Sequence, residues 1–391
     1  MDTTRLASIA GKPRRAAALT LLVLALGACA ADPAASPTAG SPTTPATASA
    51  EPTDVAPKAL NQVVIPAPSL EGNLLGDPAE RELWIYLPPQ YFESEEALPV
   101  AYYLPGFGQR TVNGVTMPGR LDQVFETIDP MIVVVVPGDT SMGGSFYVDS
   151  IANGNWEQFI TEEVVEYVDA NFRTIPAAES RGLMGASMGG FGALNLGMRH
   201  PDVFGAVYAT SPGVLNESGV AEMGFFDSEE NIAEGLATLE AAGTAQGKDV
   251  VAALQTPNYV FGLSLAYGLA FSPATEPPYI SYPFARTDGA ITRDDAVWSV
   301  WNAGFGDWDL KVAEFKDNLL SLSAIGIDCP SDDEFAWISD GCPYLDAQLT
   351  AAGIDHEYQV TTGGHEDLTG KRIVEGMLPF MATHLVGGSD G

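Results

Sequence analysis

The chain has 391 residues, of which 18 are Lys or Arg and 51 are Asp or Glu, so its formal net charge at pH 7 is −33. Phosphate backbones and anionic lipid headgroups repel such a chain, which argues against nucleic acid and anionic membrane surfaces as partners. Beyond the N-terminal region described next, roughly 330 residues remain, enough for one large domain with a deep core.

The first 28 residues have the parts of a secretory signal peptide. Basic residues within 12–15 precede an apolar run over 16–26, which is too short for a comfortable membrane span. The run ends in Leu-Gly-Ala-Cys, which resembles a bacterial lipobox and makes Cys29 the expected lipidation site. We therefore expect an extracytoplasmic, cell-surface lipoprotein that meets the membrane only through a lipid anchor at Cys29. The alternative is an ordinary cleaved signal and a secreted protein.

Residues 29–58 form the predicted flexible linker. They are almost entirely Ala, Pro, Thr, Ser and Gly with a few acids, and such a segment has too few apolar side chains to build a core. A tether of this kind suits a lipid-anchored protein, because it holds the domain predicted for residues 59–391 away from the membrane.

The sequence of the domain predicts strands that alternate with helical segments. A helical period runs over residues 157–171, with apolar side chains on one face and acids on the other. This alternation predicts the α/β class, with a mostly parallel central sheet and helices on both faces. The predicted strands are 62–65, 81–87, 98–104, 131–136, 183–184, 206–210, 322–327 and 356–360.

The strongest chemical signal is a G-x-S-x-G pattern centred on Ser187. A short apolar run precedes it and a helical pattern follows it, which is the context of a nucleophile elbow. The turn from strand to helix is so tight that only glycine fits at the flanking positions, and the serine hydroxyl then projects from the end of the sheet. We predict that Ser187 is a catalytic nucleophile.

Residues 214–320 are longer than a simple crossover between two strands requires. This segment combines an Ala-rich helical part at 232–254 with a part rich in Pro and aromatic residues at 271–284. We interpret it as an insertion above the carboxyl ends of the strands, where α/β sheets place ligands. Its aromatic residues, including Trp298, Trp301 and Trp308, either line a substrate pocket or pack the insertion onto the core.

A serine nucleophile needs a base, and in this fold the chain order is Ser, then Asp or Glu, then His. Of the four histidines, only His365 lies in a glycine-rich loop after the last predicted strand. We predict that His365 is the base. His200 is expected at the end of the elbow helix, His356 at the start of the last strand, and His384 in a C-terminal helix.

The acid that orients the histidine should follow the predicted strand at 322–327. The loop there carries several acids, of which Asp333 is our choice, with Asp328 and Asp332 as alternatives. A solvated or calcium-binding loop is a further interpretation of this acidic cluster. No histidine sits at ligand spacing near Cys329 and Cys342, so we expect no metal site there, and a serine triad needs no cofactor.

Acyl transfer also requires donors for the oxyanion that develops in the transition state. One is expected to be the main-chain N–H of Met188, directly after the nucleophile. The other should come from the loop after the strand that ends at Leu104. Pro105 has no N–H, so Phe107 is the predicted donor, with Gly106 and Gly108 as alternatives.

Two cysteines lie in the predicted domain, Cys329 and Cys342. In an exported protein two remaining cysteines are expected to form a disulfide, and the loop that this one closes is short. The alternative is a pair of buried free thiols.

These segments together resemble the esterase D-like esterases of the α/β-hydrolase superfamily, which include feruloyl esterases, S-formylglutathione hydrolases, enterochelin esterases and mycolyltransferases. The resemblance spans about residues 60–385, and its most specific parts are Ser187-Met-Gly-Gly and Gly363-Gly-His365. In that family the acid lies in a Gly-x-x-Asp-x-Phe loop, which maps onto Asp333. The family's second oxyanion donor maps onto Phe107. Pro105 and Pro330 stand where the family usually has other residues.

The resemblance and the candidate residues imply a serine esterase that acts on a small-molecule or glycan ester outside the cytoplasm. An acyltransferase that passes the acyl group to a sugar or glycerol hydroxyl is the alternative, because a triad serves both reactions. A third hypothesis is a non-catalytic binding lipoprotein on a hydrolase scaffold.

Overall fold

A computed structural model describes residues 58–109, 118–365 and 369–388 of the chain. The predicted signal peptide, the lipidation site Cys29 and nearly all of the predicted linker lie outside these residues. Among the helices that are described, none is long and apolar enough to cross a membrane.

The centre of the domain is a sheet of eight strands, labelled β1 to β8 in chain order. Their spatial order is β1-β2-β4-β3-β5-β6-β7-β8. Strand β2 runs antiparallel to both of its neighbours, and the remaining pairs are parallel. The predicted α/β class with a mostly parallel sheet is therefore confirmed. The strands are Leu60–Pro66, Glu80–Tyr86, Val100–Leu104, Ile132–Val135, Arg181–Ala186, Ala206–Thr210, Ala324–Pro330 and Glu357–Thr361.

Both faces of the central strands are buried. Along β3, Val100 and Tyr102 point into one hydrophobic cluster, whereas Ala101 and Tyr103 point into the cluster on the opposite face. In a strand that is buried on both faces, apolar residues do not alternate with polar ones. Its sequence is therefore an unbroken apolar run. This burial explains why the sequence marks these strands clearly.

Helices cover both faces of the sheet. One helical stretch runs without a break through Trp156–Gln158, Phe159–Val164 and Val165–Asn171, close to the predicted 157–171. Another runs through Thr369–Arg372, Ile373–Met377 and Leu378–His384. The other α-helices are Pro89–Glu93, Pro118–Val124, Met188–Arg199, Glu229–Ala242, Lys248–Leu254, Tyr259–Phe271, Asp295–Phe305, Trp308–Glu314, Lys316–Ser321 and Ala336–Ala352.

One predicted strand end is wrong. Strand β7 does not end at Ile327 but continues to Pro330, because its parallel pairing with β8 extends to the end of both strands. The Ala-rich part predicted as helical over 232–254 consists of two helices. Gly243 and Gly247 separate them, each with φ of +54°, a backbone conformation that ends a right-handed helix and favours glycine.

The insertion between β6 and β7 packs through its aromatic side chains. Trp301 and Trp308 are fully buried, and the Tyr267 hydroxyl donates to the carbonyl oxygen of Trp301 at 2.8 Å and accepts from the Phe305 N–H at 2.8 Å. Trp298 contacts the rings of Phe226 and Phe284 in the same cluster, among others. Of the two roles open for the three tryptophans, packing is therefore the one that the structure shows.

Candidate active site

Ser187 lies at the turn between β5 and the helix Met188–Arg199. Its φ is +57°, a strained conformation for a residue with a side chain. A Cβ added to Gly185 would lie 2.2 Å from the Gly189 carbonyl oxygen, and one added to Gly189 would lie 1.8 Å from the Leu104 carbonyl oxygen. Glycine is thus required at both positions by backbone contacts, as the sequence pattern predicts for an elbow.

Three hydrogen bonds hold the strained main chain of Ser187. Its N–H donates to the Thr210 carbonyl oxygen at 3.0 Å, and its carbonyl oxygen accepts from Phe191 and Gly213 at 3.0 and 3.1 Å. The side chain is half-buried and lines a cavity together with His365. The surrounding fold therefore fixes the backbone while the hydroxyl stays accessible.

His365 is paired with Asp333. Its Nδ1 atom lies 2.8 Å from Asp333 Oδ2, and Asp333 Oδ1 accepts from the Phe335 N–H at 2.8 Å. The Asp333 side chain is completely shielded from solvent. An ionised carboxylate accepts from Nδ1–H, which leaves Nε2 as the histidine's second functional atom.

The two alternative acids are engaged elsewhere. Asp328 is fully buried and accepts from Arg372 at 2.7 and 2.9 Å and from the Thr210 hydroxyl at 3.1 Å. Asp332 lies on the surface, where its carboxylate accepts from the Ser331 hydroxyl at 2.8 Å. Only Asp333, of the three, is hydrogen-bonded to His365 in the described structure.

The other three histidines lie next to carboxylates away from this cavity. His200 follows the end of the elbow helix, as expected, and its Nε2 lies 2.7 Å from Glu157. His356 directly precedes β8 and its Nε2 is 2.9 Å from Asp346, while His384 ends the C-terminal helix. No group of three or more His, Cys, Asp or Glu side chains in the described ranges is arranged to hold a metal ion.

The main-chain N–H groups near Ser187 differ in whether they are engaged. Gly108 donates to the Gly143 carbonyl oxygen at 2.9 Å, and Gly106 makes a long bond of 3.4 Å to Gln109 Oε1. The N–H groups of Phe107 and Met188 have no hydrogen-bond partner within residues 58–109, 118–365 and 369–388. Of the predicted donors and their alternatives, these two are the ones available to a ligand.

An apolar pocket adjoins the nucleophile. Sequence reasoning missed most of its walls, since Tyr259 and Leu263 belong to an insertion helix that is apolar nearly all round and carries no motif. Phe335 and Trp337 follow the acid loop, and the Phe335 ring meets the His365 ring edge-on at 4.9 Å. The lining residues are Phe107, Phe146, Ser187, Met188, Tyr259, Leu263, Phe305, Phe335 and Trp337.

Two wider grooves flank this pocket. One combines polar and apolar side chains, with Asp139 as its charged residue, and it lies on the far side of Phe107 and Tyr259, along residues 139–143 and 254–262. The other lies beyond Phe335 and Trp337, and its charged side chains are all acidic: Glu222, Asp227, Glu234 and Glu334.

A disulfide joins Cys329 in β7 to Cys342 in the helix Ala336–Ala352, with 6.5 Å between their Cα atoms. The two cysteines are 13 residues apart along the chain and enclose the loop that carries Asp333. The bond therefore ties together the two elements from which the acid loop projects.

The chain is similar to known proteins in its sequence profile and in its fold. The sequence profile of the family described as "Putative esterase" matches residues 78–278. A solved ferulic acid esterase is 20% identical over 83% of this chain and 97% of its own, with a TM-score of 0.54. An S-formylglutathione hydrolase from Agrobacterium tumefaciens is 17% identical over 84% of this chain and 95% of its own, with a TM-score of 0.50. The fold is that of the α/β-hydrolases, and the chain belongs to this esterase family and is an esterase.

Proposed function

We propose that this protein is a serine carboxylic-ester hydrolase in which Ser187 is the nucleophile, His365 the base and Asp333 the acid that orients the base. The observation that carries the proposal is the 2.8 Å contact between Asp333 and His365 Nδ1 at a cavity that Ser187 also lines. A carboxylate on Nδ1 fixes the ring tautomer and favours the imidazolium that forms during the reaction.

The reaction proceeds in two halves. The Ser187 hydroxyl attacks the ester carbon and transfers its proton to His365 Nε2, while the N–H groups of Phe107 and Met188 hold the oxyanion. The intermediate then breaks its bond to the alcohol oxygen, which takes the proton from His365, and an acyl-enzyme remains. Water attacks this ester in the same way, and the acid and free Ser187 are released.

The shape of the site favours an ester with a small apolar acyl group and an uncharged alcohol. The apolar pocket beside Ser187 suits the acyl group. The mixed groove along residues 139–143 and 254–262 offers uncharged hydrogen-bonding side chains, such as those of Gln255 and Asn258, to a hydroxyl-bearing alcohol such as a sugar. The acidic groove and the net charge of −33 disfavour an anionic leaving group such as glutathione. S-formylglutathione, the substrate named for one of the compared proteins, therefore fits this site poorly.

We further propose that the enzyme works outside the cytoplasm as a lipoprotein anchored through Cys29, on esters linked to glycans. The support is the signal-like segment, the lipobox and the linker in the sequence. The disulfide between Cys329 and Cys342 is compatible with an oxidising compartment. Globomycin-sensitive processing and labelling with a fatty-acid analogue, both abolished by Cys29→Ser, would test the anchor.

The triad is tested with the domain from about residue 59 and p-nitrophenyl acetate. Ser187→Ala should lower kcat on the order of 10³-fold or more, and Asp333→Asn should lower it by a similar factor because the histidine tautomer is lost. Asp332→Asn, one residue away on the surface, is the matched control and should keep near wild-type activity. A fluorophosphonate probe should label Ser187 and no other serine. Hydrolysis that survives Ser187→Ala in a folded protein would reject the proposal.

A further inference from the structure

Two consecutive acidic residues hydrogen-bond to His365, one to its ring and the other to its main chain. Asp333 contacts the imidazole ring, as described above. The next residue, Glu334, accepts a hydrogen bond through Oε2 from the main-chain N–H of His365 at 2.6 Å. The ring and the backbone of the same histidine are thus fixed separately by neighbouring acids.

The contact with Glu334 continues a series of hydrogen bonds between the two loops. Beyond the paired ends of β7 and β8, the Ser331 N–H donates to the Thr361 carbonyl oxygen at 2.7 Å and the Asp332 N–H to that of Gly363 at 3.3 Å. The bond at His365 runs in the opposite direction: the main-chain N–H of the histidine loop donates, and the Glu334 side chain of the acid loop accepts. The Glu334 carboxylate therefore ties the loop of the base to that of the acid at the point where main-chain bonding between them stops.

The neighbouring glycine shows how closely the carboxylate approaches the loop. A Cβ added to Gly364 would lie 2.4 Å from Glu334 Oε1, so a larger residue there would displace the carboxylate. The His365 N–H lowers the pKa of Glu334 below its ordinary value, because the bond favours the charged form. The acceptor is therefore an ionised carboxylate at neutral pH, which strengthens the bond.

We propose that Glu334 is a positioning residue for the reaction: it anchors the main chain of His365 so that Nε2 keeps its alignment with Ser187. The inference rests on the proposed triad. Proton transfer depends steeply on the geometry between donor and acceptor, so a histidine that is held only through its ring would spend less time aligned with the serine hydroxyl.

Two variants separate the hydrogen bond from the charge. Glu334→Ala removes the acceptor, and kcat for p-nitrophenyl acetate should fall about tenfold or more with little change in KM, because the substrate does not need this bond to enter. Glu334→Gln keeps an acceptor oxygen and should retain most of kcat.

Asp332→Ala is the matched control, since it removes an exposed acid from the same loop that does not contact His365. Its kcat should stay within about twofold of wild type. The rate of fluorophosphonate labelling should follow kcat across the series, because it reports how readily Ser187 loses its proton. Thermal unfolding midpoints measured alongside show whether each variant is folded at the assay temperature.

Two results would overturn the inference: kcat of a folded Glu334→Ala equal to that of Asp332→Ala, or an equal loss in Glu334→Gln and Glu334→Ala. Failure of the proposed function has a different signature, because Ser187→Ala would then remain active whatever the Glu334 variants do. A dead Ser187→Ala beside a fully active Glu334→Ala would reject only the positioning role.

Discussion

The β-sheet with its connecting loops and the insertion at 214–320 contribute to the candidate active site in different ways. The sheet supplies the proposed reactive groups on segments whose backbone is tightly constrained, such as Ser187 at the end of β5 and His365 after β8. The insertion supplies walls, such as Tyr259 and Leu263, from a helix that is buried nearly all round. The proposed reactive groups therefore depend on a fixed backbone geometry, whereas the shape of the pocket depends on side-chain packing.

This difference decides what a sequence can reveal. Where backbone contacts permit only one residue type, the sequence contains a recognisable motif. The glycines around Ser187 are an example. A wall residue needs only to be large and apolar, so many sequences serve and none stands out. Three experiments test this difference between the two regions.

The largest effect is expected from one substitution made in both regions. In Gly189→Ala the new methyl group would lie 1.8 Å from the Leu104 carbonyl oxygen, a main-chain atom that cannot move without breaking the sheet. We expect a loss of more than about 3 kcal/mol in the free energy of unfolding, and no measurable esterase activity. In Gly262→Ala, within the insertion helix, the nearest atom is Thr256 Cγ2 at 3.4 Å. Alanine favours a helix over glycine by about 1 kcal/mol, so this variant should be as stable as wild type or more stable.

Urea denaturation of the two variants, followed by far-UV circular dichroism, measures both values. Equal destabilisation by the two substitutions would contradict the idea that only the elbow is constrained at the backbone.

Most of the strands could be predicted from their apolar runs. Local patterns also selected Ser187 and His365, which the structure brings to one cavity, and their catalytic roles stay predictions. The acid was harder to choose, because the loop after β7 contains several acids. Asp328 is excluded by Arg372, which lies 44 residues further along the chain and reaches it only in the folded protein. No local pattern carries that information.

Other features could not be predicted because they arise from contacts between distant segments. Tyr259 reaches the site only through the packing of the insertion, and Glu334 meets His365 only because β7 and β8 pair in one register. The true end of β7 depends on the same pairing. Gly243 and Gly247 mark the break between the two Ala-rich helices. The break was not predicted because the residues on both sides have a helical composition.

A smaller effect, still on stability, is expected from the disulfide. The predicted domain has its two cysteines in the acid-loop region, and the insertion has none, so a reductant acts on one region alone. Opening a loop of this size should cost about 3 kcal/mol of the free energy of unfolding. Because the bridge encloses Asp333, we also expect lower kcat from the reduced or Cys329→Ala/Cys342→Ala protein.

Denaturation with and without dithiothreitol measures the first effect, and hydrolysis of p-nitrophenyl acetate measures the second. The double variant should not respond to the reductant, which makes it the control for side effects. A reduced protein that loses stability but keeps full kcat would show that hydrogen bonds alone keep the acid loop in place.

The smallest expected effect concerns Tyr259, the residue through which the insertion reaches the catalytic cavity. Its ring lies 6.0 Å from that of Phe107 and 6.2 Å from that of Phe335, so it bridges the loops that carry the proposed oxyanion donor and acid. It lines the cavity of Ser187 and His365, the apolar pocket and the groove along 139–143 and 254–262, and it remains 53% exposed. From this position we expect its ring to limit the length of the acyl group.

Tyr259→Ala should therefore shift the acyl preference while leaving the triad intact. We expect the ratio of kcat/KM for p-nitrophenyl octanoate to that for the acetate to rise about tenfold, equivalent to about 1.4 kcal/mol. Tyr259→Phe keeps the ring and should preserve the wild-type ratio. If Tyr259→Ala instead lowers kcat equally for both esters, the ring supports Phe107 and Phe335. The insertion would then affect the chemical step as well as the shape of the pocket. An increased ratio at unchanged acetate activity would keep the two regions functionally separate.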